Sequence, residues 1–252
     1  MTYSIVARDS ATGQLGVAAQ TCAFALGTAL PWARAGVGAV ATQARTDPGY
    51  GPRGLDLLAA GVEPAAALEQ LRTSDEHHRE RQVGLISAAG ITASFTGSDC
   101  VPETCSAAGD GFTAQANLML APGVCDAMAV AYETATGALA TRLIAALNAA
   151  QLAGGDARGQ MSAALLVVDG TRHEAPWEGV IFDVRVDHHP APLDELERLV
   201  HLAQSRQDDE RAFELLESGD PAAALEAVDA GLALMGLHRL LLGQCGVRAA
   251  VG

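Results

Sequence analysis

Residues 1–9 read M-T-Y-S-I-V-A-R-D, a strand-like run that starts one residue after the initiator methionine. With Gly16–Cys22 and Val37–Ala44 it forms a first group of strands. Tyr3–Arg8 is the apolar part of the first, and A-T-G-Q at 11–14 supplies a turn. From Arg53 to Ser74 the apolar spacing changes to a helical period, broken at Gly61 and restarted by Pro64, a residue suited to a first helical turn. A second strand group follows at Gln82–Ser87, Thr92–Phe95 and Gly111–Met119, then a helix pair at Pro122–Thr134 and Ala138–Ala150. S-A-A-L-L-V-V at 162–168 and V-I-F-D-V-R-V at 180–186 read as buried strands. Strands, helix pair, strands, helix pair, strands is not the single alternation of a doubly wound sheet. It predicts an α+β fold: two antiparallel sheets face to face with helices outside, a four-layer αββα sandwich over residues 1–196.

From Pro192 the pattern is helical and amphipathic. R-A-F-E-L-L-E-S-G-D-P-A-A-A-L-E-A-V-D-A-G-L-A-L at 211–234 predicts a helical hairpin within a C-terminal extension, 197–252. A lone hairpin cannot bury its own apolar stripe, so it is expected to pack on the main domain or on a second copy in a homo-oligomer.

The composition narrows the function. Of 252 residues, 49% are hydrophobic, enough for one large core. The formal net charge of −14 opposes a nucleic-acid backbone or an anionic membrane, so neither is an expected partner. No apolar run approaches the ~18–20 residues that span a bilayer, and the N-terminus lacks a secretory signal pattern, which predicts a cytoplasmic protein. All 16 basic residues are Arg, removing Schiff-base lysines, Ser/Lys dyads and the phosphate-loop lysine together. Cys22, Cys100, Cys105, Cys125 and Cys245 form an odd set whose spacing argues poorly for zinc, and they read as buried, reduced thiols.

No G-x-S-x-G or H-E-x-x-H is present. His77 and His78 lie in the charged stretch S-D-E-H-H-R-E-R, a solvated connection. Asp187, His188 and His189 lie in V-D-H-H-P, which reads as a turn, although Asp187 and His189 with a serine would make a competing hydrolytic set. A further candidate nucleophile is Thr2, by its position directly after Met1. Removing Met1 would place a free α-amine, with a reference pKa of ~7.7–8.0, on the residue that carries the hydroxyl, so that nucleophile and base share one residue. Taken alone, Thr2 reads as a β-branched strand starter that is chemically silent.

Two loops bring polar groups and glycine beside apolar strands. In A-T-Q-A-R-T-D-P-G-Y-G-P-R-G-L, Gln43 and Thr46 sit where a strand gives way to a loop. In A-G-G-D-A-R-G-Q-M-S-A-A, Gly154 and Gly155 suit a helix end. Asp156 and Arg158 could pair structurally or anchor a substrate, with Ser162 next along the chain. Asn117, polar in the apolar run T-A-Q-A-N-L-M-L, must satisfy neighbouring backbone or donate to a transient oxyanion.

The motifs T-Y-S-I-V-A-R-D, P-W-A-R-A-G-V-G-A-V-A-T-Q-A, Y-G-P-R-G-L-D-L-L, R-Q-V-G, F-T-G, A-G-G-D-A-R-G-Q-M-S-A-A-L-L-V-V and D-V-R-V-D-H-H-P appear in that order over residues 2 to about 196. In this the chain resembles the domain-of-unknown-function family numbered 1028, regarded as similar to N-terminal-nucleophile hydrolases. The resemblance implies the αββα sandwich of that superfamily and amide hydrolysis by the second residue. Met161, Cys22, Arg45, Asp47 and Ala116 depart from the family's usual residues. The expected activity is cleavage of a small amide or related C–N bond without a cofactor or metal. Thr2, Gln43 and Asn117 are the catalytic candidates, and Thr46, Asp156, Arg158 and Ser162 would contact a small-molecule substrate. The alternative is a noncatalytic, self-associating metabolite-binding protein of the same fold.

Overall fold

The computed structural model describes residues 2–175 and 177–234. Met1 and Cys245, on which the N-terminal trimming and part of the thiol reading turn, lie outside them. The chain divides into two compact units, Met1–Leu196 and Glu197–Gly252.

In the first unit the elements run β1 (Thr2–Arg8), β2 (Leu15–Thr21), β3 (Pro31–Arg34), β4 (Gly38–Ala44), α1 (Tyr50–Ala59), α2 (Pro64–Thr73), β5 (Arg81–Ser87), β6 (Thr92–Thr96), β7 (Cys105–Gly109), β8 (Phe112–Asn117), α3 (Val124–Thr134), α4 (Leu139–Leu152), β9 (Ser162–Val168) and β10 (Val180–Val186). The strands form a six-stranded sheet in the order β10-β9-β2-β1-β8-β7 and a four-stranded sheet in the order β3-β4-β5-β6, with antiparallel pairing throughout. Helices α3 and α4 pack on the larger sheet, α1 and α2 on the smaller, and the two sheets touch through β1, β2, β7, β8 and β9 on one side and β3, β4, β5 and β6 on the other.

Period-two alternation assigns each strand's faces. Tyr3, Ile5 and Ala7 of β1 point to the α3–α4 side, where the Tyr3 hydroxyl donates to Gln151 Oε1 at 3.0 Å. Thr2, Ser4 and Val6 point between the sheets. That inner layer is apolar around Val6, Val17, Ala39, Ala41 and Ile86. Toward the Thr2 end it turns polar, with Ser4, Gln43, Gln82, Gln115 and Asn117 all buried. Gly84 makes room for this: a Cβ there would lie 2.1 Å from Gln115 Oε1. The outer face of the small sheet buries Val40, Val83 and Leu85 against Tyr50, Leu55, Leu58, Leu68 and Leu71 of α1 and α2.

Several sequence expectations are corrected. β3 and β7 were not anticipated. β3 opens on Pro31 and is a four-residue edge strand, whereas β7 reads C-S-A-A-G and is built of weak strand formers. The strand expected over Gly111–Met119 stops at Asn117, because Leu118 takes φ 52 and leaves the ladder. Helix α3 starts at Val124 rather than Pro122, after Gly123 at φ 86. Cys105 and Cys125 are not reduced thiols: they form a disulfide with Cα atoms 5.9 Å apart that ties β7 to α3, while Cys22 and Cys100 are free.

The C-terminal unit contains most of α5 (Pro192–Glu217) and α6 (Pro221–Leu234). Gly219 at φ 86 reverses the chain, the Asp220 carboxylate accepts the Ala223 amide at 3.0 Å as an N-cap, and Ala212, Ala224 and Val228 form the buried seam. Among the described residues no helix is long and apolar enough to cross a membrane.

Candidate active site

β1 is central in its sheet, so Thr2 is paired on both sides, with Thr21 of β2 and with Asn117 of β8. It is 6% exposed. Its hydroxyl lies 3.1 Å from Thr21 Oγ1, and its carbonyl accepts from Gln43 Nε2 at 3.4 Å across the inter-sheet space.

The centre of this polar end is Gln82, the partner of Gln43 in the β4–β5 ladder. Its Oε1 accepts from Gln43 Nε2 at 2.7 Å and from Asn117 Nδ2 at 2.8 Å. Its Nε2 donates to the Ala116 carbonyl at 2.9 Å and to Thr96 Oγ1 at 3.0 Å. Three buried amides from three strands thus meet in one network spanning both sheets.

The valence of each amide separates the candidates. Gln43 Nε2 faces three acceptors, Gln82 Oε1, the Gln115 carbonyl at 3.2 Å and the Thr2 carbonyl, so its two protons are committed; its Oε1 is buried and accepts nothing among the described residues. Gln43 therefore positions the Thr2 backbone. Asn117 Nδ2 gives one proton to Gln82 and retains a second. Asn117 also lines a cleft of about 280 Å³ with Ala44, Arg45, Cys100 and Arg158. Immediately after the two amides, Ala44 (φ 69) and Leu118 (φ 52) adopt the left-handed backbone that side-chain-bearing residues avoid. Such strain, of order 1–3 kcal/mol per residue, concentrates at functional sites.

Asp156 is buried behind the same end. Its carboxylate receives the Cys22 amide at 3.0 Å and the Arg158 amide at 2.9 Å, and it pairs with the Arg158 guanidinium at 2.9 Å. The hydrogen bond to Asp156 raises the pKa of Arg158, which leans into the cleft partly exposed. Across the cleft Arg45 pairs with Glu80 at 2.7 Å. Burial raises the pKa of the Cys100 thiol, which suits a wall better than a nucleophile.

Thr2, Gln43, Asn117, Asp156 and Arg158 are brought to one end of the sheets. Ser162 and Thr46 stand apart. The Ser162 hydroxyl donates to the Ala23 carbonyl at 2.6 Å and accepts the Leu26 amide at 3.2 Å, pinning the loop after β2. Thr46 is exposed on the β4–α1 loop and is not among the cleft-lining residues. His189 Nδ1 is taken up within its own turn by Ala191, and His78 Nδ1 by the Asp75 carbonyl. Sequence reasoning missed Gln82 and Thr21. A polar residue at the start or end of an otherwise apolar strand was the available signal.

The family model for a family of unknown function, DUF1028, matches residues 2–196. The chain belongs to the DUF1028 family. Among solved structures, the DUF1028 chain is similar to the crystal structure of protein SPO2555 from Silicibacter pomeroyi, which carries the same family model. The two are 30% identical, with a TM-score of 0.73 over 81% of this chain and 89% of that one. No curated protein matches. The family match covers the sheets, their helices and the Thr2 end, and stops at 196, where the second compact unit begins.

Proposed function

We propose that this DUF1028 chain is an N-terminal-nucleophile amidohydrolase with the four-layer αββα sandwich of that class, cleaving a small amide or related C–N bond through Thr2 once Met1 is removed. The observation that carries the reading is the placement of Thr2. Its hydroxyl faces the polar end of the inter-sheet layer, 3.1 Å from Thr21 Oγ1, and its strand partner Asn117 lines the adjoining cleft.

In the proposed reaction the freed Thr2 amine takes the proton from Oγ1 as the oxygen attacks the substrate carbonyl, forming a C–O bond. The second Asn117 Nδ2 proton points to the charge developing on the carbonyl oxygen, a contribution worth ~2.7–4 kcal/mol at comparable donors. Breaking the C–N bond passes the proton from the amine to the leaving nitrogen, and water then cleaves the threonyl ester, with the amine again as base. Gln43 and Gln82 hold Thr2 and Asn117 in place. Arg158, braced by Asp156, orients a polar substrate group. A cleft of about 280 Å³ supports a small substrate rather than a folded protein. A cytoplasmic, homo-oligomeric enzyme remains the proposed setting; the Cys105–Cys125 bond favours an oxidising compartment instead.

The test is a panel of small amides and ureido compounds assayed on wild type and Thr2→Ala, with intact-mass measurement of both. The expected result is mature protein lacking Met1 and hydrolysis reduced on the order of 10³-fold or more in Thr2→Ala. Turnover unaffected by that substitution, or a chain that is active with Met1 retained, refutes the proposal.

A further inference from the structure

The far end of β1 carries a second polar cleft that the proposed chemistry does not use. Thr2 and Arg8 are the first and last of the seven residues of β1, six steps and about 20 Å apart at ~3.4 Å per residue. There a cleft of about 260 Å³ is lined by Arg8, Tyr132, Arg142, Asp110 and Glu133.

Three buried donors on residues that line this cleft lack an acceptor among the described residues: Arg8 Nε, Arg142 Nε and the Tyr132 hydroxyl. Tyr132 is 1% exposed. Its ring is fixed against Phe112, with centroids 4.8 Å apart, and under the Arg142 guanidinium at 4.3 Å. A phenol held this firmly and left unpaired has an aim rather than a fluctuation, since buried polar groups are otherwise nearly always hydrogen-bonded. Arg142 is neutralised by Asp9 at 3.3 Å, whereas Arg8 has no carboxylate partner among the described residues. Asp110 and Glu133, which also line the cleft, are exposed and form no ion pair among the described residues. The cleft thus offers one uncompensated cation beside orphaned donors, and two uncompensated carboxylates. An inorganic dianion would meet the two carboxylates, and a simple amine would leave Arg8 and Tyr132 unmatched.

We propose that this cleft binds a free α-amino acid as its zwitterion, the carboxylate taken by Arg8, Arg142 and the Tyr132 hydroxyl, the ammonium by Asp110 and Glu133. Both charges of the ligand are then answered, and the volume, below the ~300 Å³ of ordinary ligand pockets, restricts it to that size. The site stands independently of the amidohydrolase reading.

Isothermal titration of the full-length protein with each free amino acid in turn, and with N-acetylalanine, alaninamide and inorganic phosphate, tests the proposal. At least one amino acid should bind saturably, one per chain, and masking either charge should weaken binding roughly tenfold or more. Tyr132→Phe and Arg8→Gln should each cost about tenfold or more. The exposed Asp110→Asn and Glu133→Gln, which do not threaten folding, should each cost about two- to fivefold. Thr2→Ala should bind as wild type. Absence of binding by every amino acid at millimolar concentration, equal binding of the masked compounds or phosphate, indifference to all four cleft substitutions, or loss of binding in Thr2→Ala would each overturn it.

Discussion

Replacing Gln82 by Leu removes the hub of the inter-sheet amide network while keeping a side chain of similar size. Gln82 Oε1 serves two donors and Nε2 serves the Ala116 carbonyl and Thr96. The losses are unequal. Gln43 keeps the Gln115 and Thr2 carbonyls, Thr96 is half-buried and reaches water, and the Ala116 carbonyl lies within the ladder. Asn117, 1% exposed, is left with a stranded N–H. One stranded donor costs ~1–3 kcal/mol and each hydrogen bond lost elsewhere ~0.5–1.5, partly offset by the apolar side chain. The expected destabilisation is about 2–3 kcal/mol, a large share of the ~5–15 kcal/mol of an ordinary domain. Equilibrium urea unfolding followed by circular dichroism measures it. A double-mutant cycle with Asn117→Ala should show coupling of about 1 kcal/mol or more. A loss under about 0.5 kcal/mol, or strictly additive substitutions, would show that the network does not couple the sheets.

Further expectations concern acid stability, the core and the disulfide. The hydrogen bond from Arg81, reinforced by Tyr50, holds the Asp75 carboxyl down at about 2, against 3.8 ordinarily. Because the folded value is the lower one, the pair's stabilisation of about 2 kcal/mol is present above pH ~4 and fades as pH falls toward 2. Asp75→Asn should flatten that acid limb, and an unchanged limb in pH-jump unfolding would refute the linkage. Gln20 is fully buried and neither amide atom has a hydrogen-bond partner among the described residues, so Gln20→Met should leave stability unchanged or raise it by about 1–2 kcal/mol. A urea midpoint falling by the equivalent of 1 kcal/mol would argue against that. Thiol alkylation of the native, unreduced protein should spare Cys105 and Cys125, and the Cys105→Ser/Cys125→Ser double variant should lose about 3 kcal/mol for a loop of 20 residues' separation. Labelling of both cysteines without reductant would contradict the pairing.

The central strands and helices were legible because burial on two faces writes long apolar runs and a helical period, as at Leu85, Leu165 and Leu143. Edge strands were not: β7 is half-exposed, and C-S-A-A-G has no strand signal until β8 supplies a neighbour. Gln43 and Asn117 stood out as polar residues among apolar ones, but Gln82 gained its importance only when a non-neighbouring strand met it across the layer. Ser162 looked like a site residue because it adjoins Arg158 in sequence, yet strand alternation turns its hydroxyl toward the Ala23–Leu26 loop. The Cys105–Cys125 bond joins residues whose spacing matches no motif.

The amides between the sheets also dictate how the two halves can be stacked. Sliding any one of β4, β5 or β8 by a single residue would turn Gln43, Gln82 or Asn117 outward into a greasy helical contact and swing a methyl-bearing neighbour into their place. Misaligned assemblies are thereby penalised several times over, and the correct one is the arrangement in which the three carboxamides find each other.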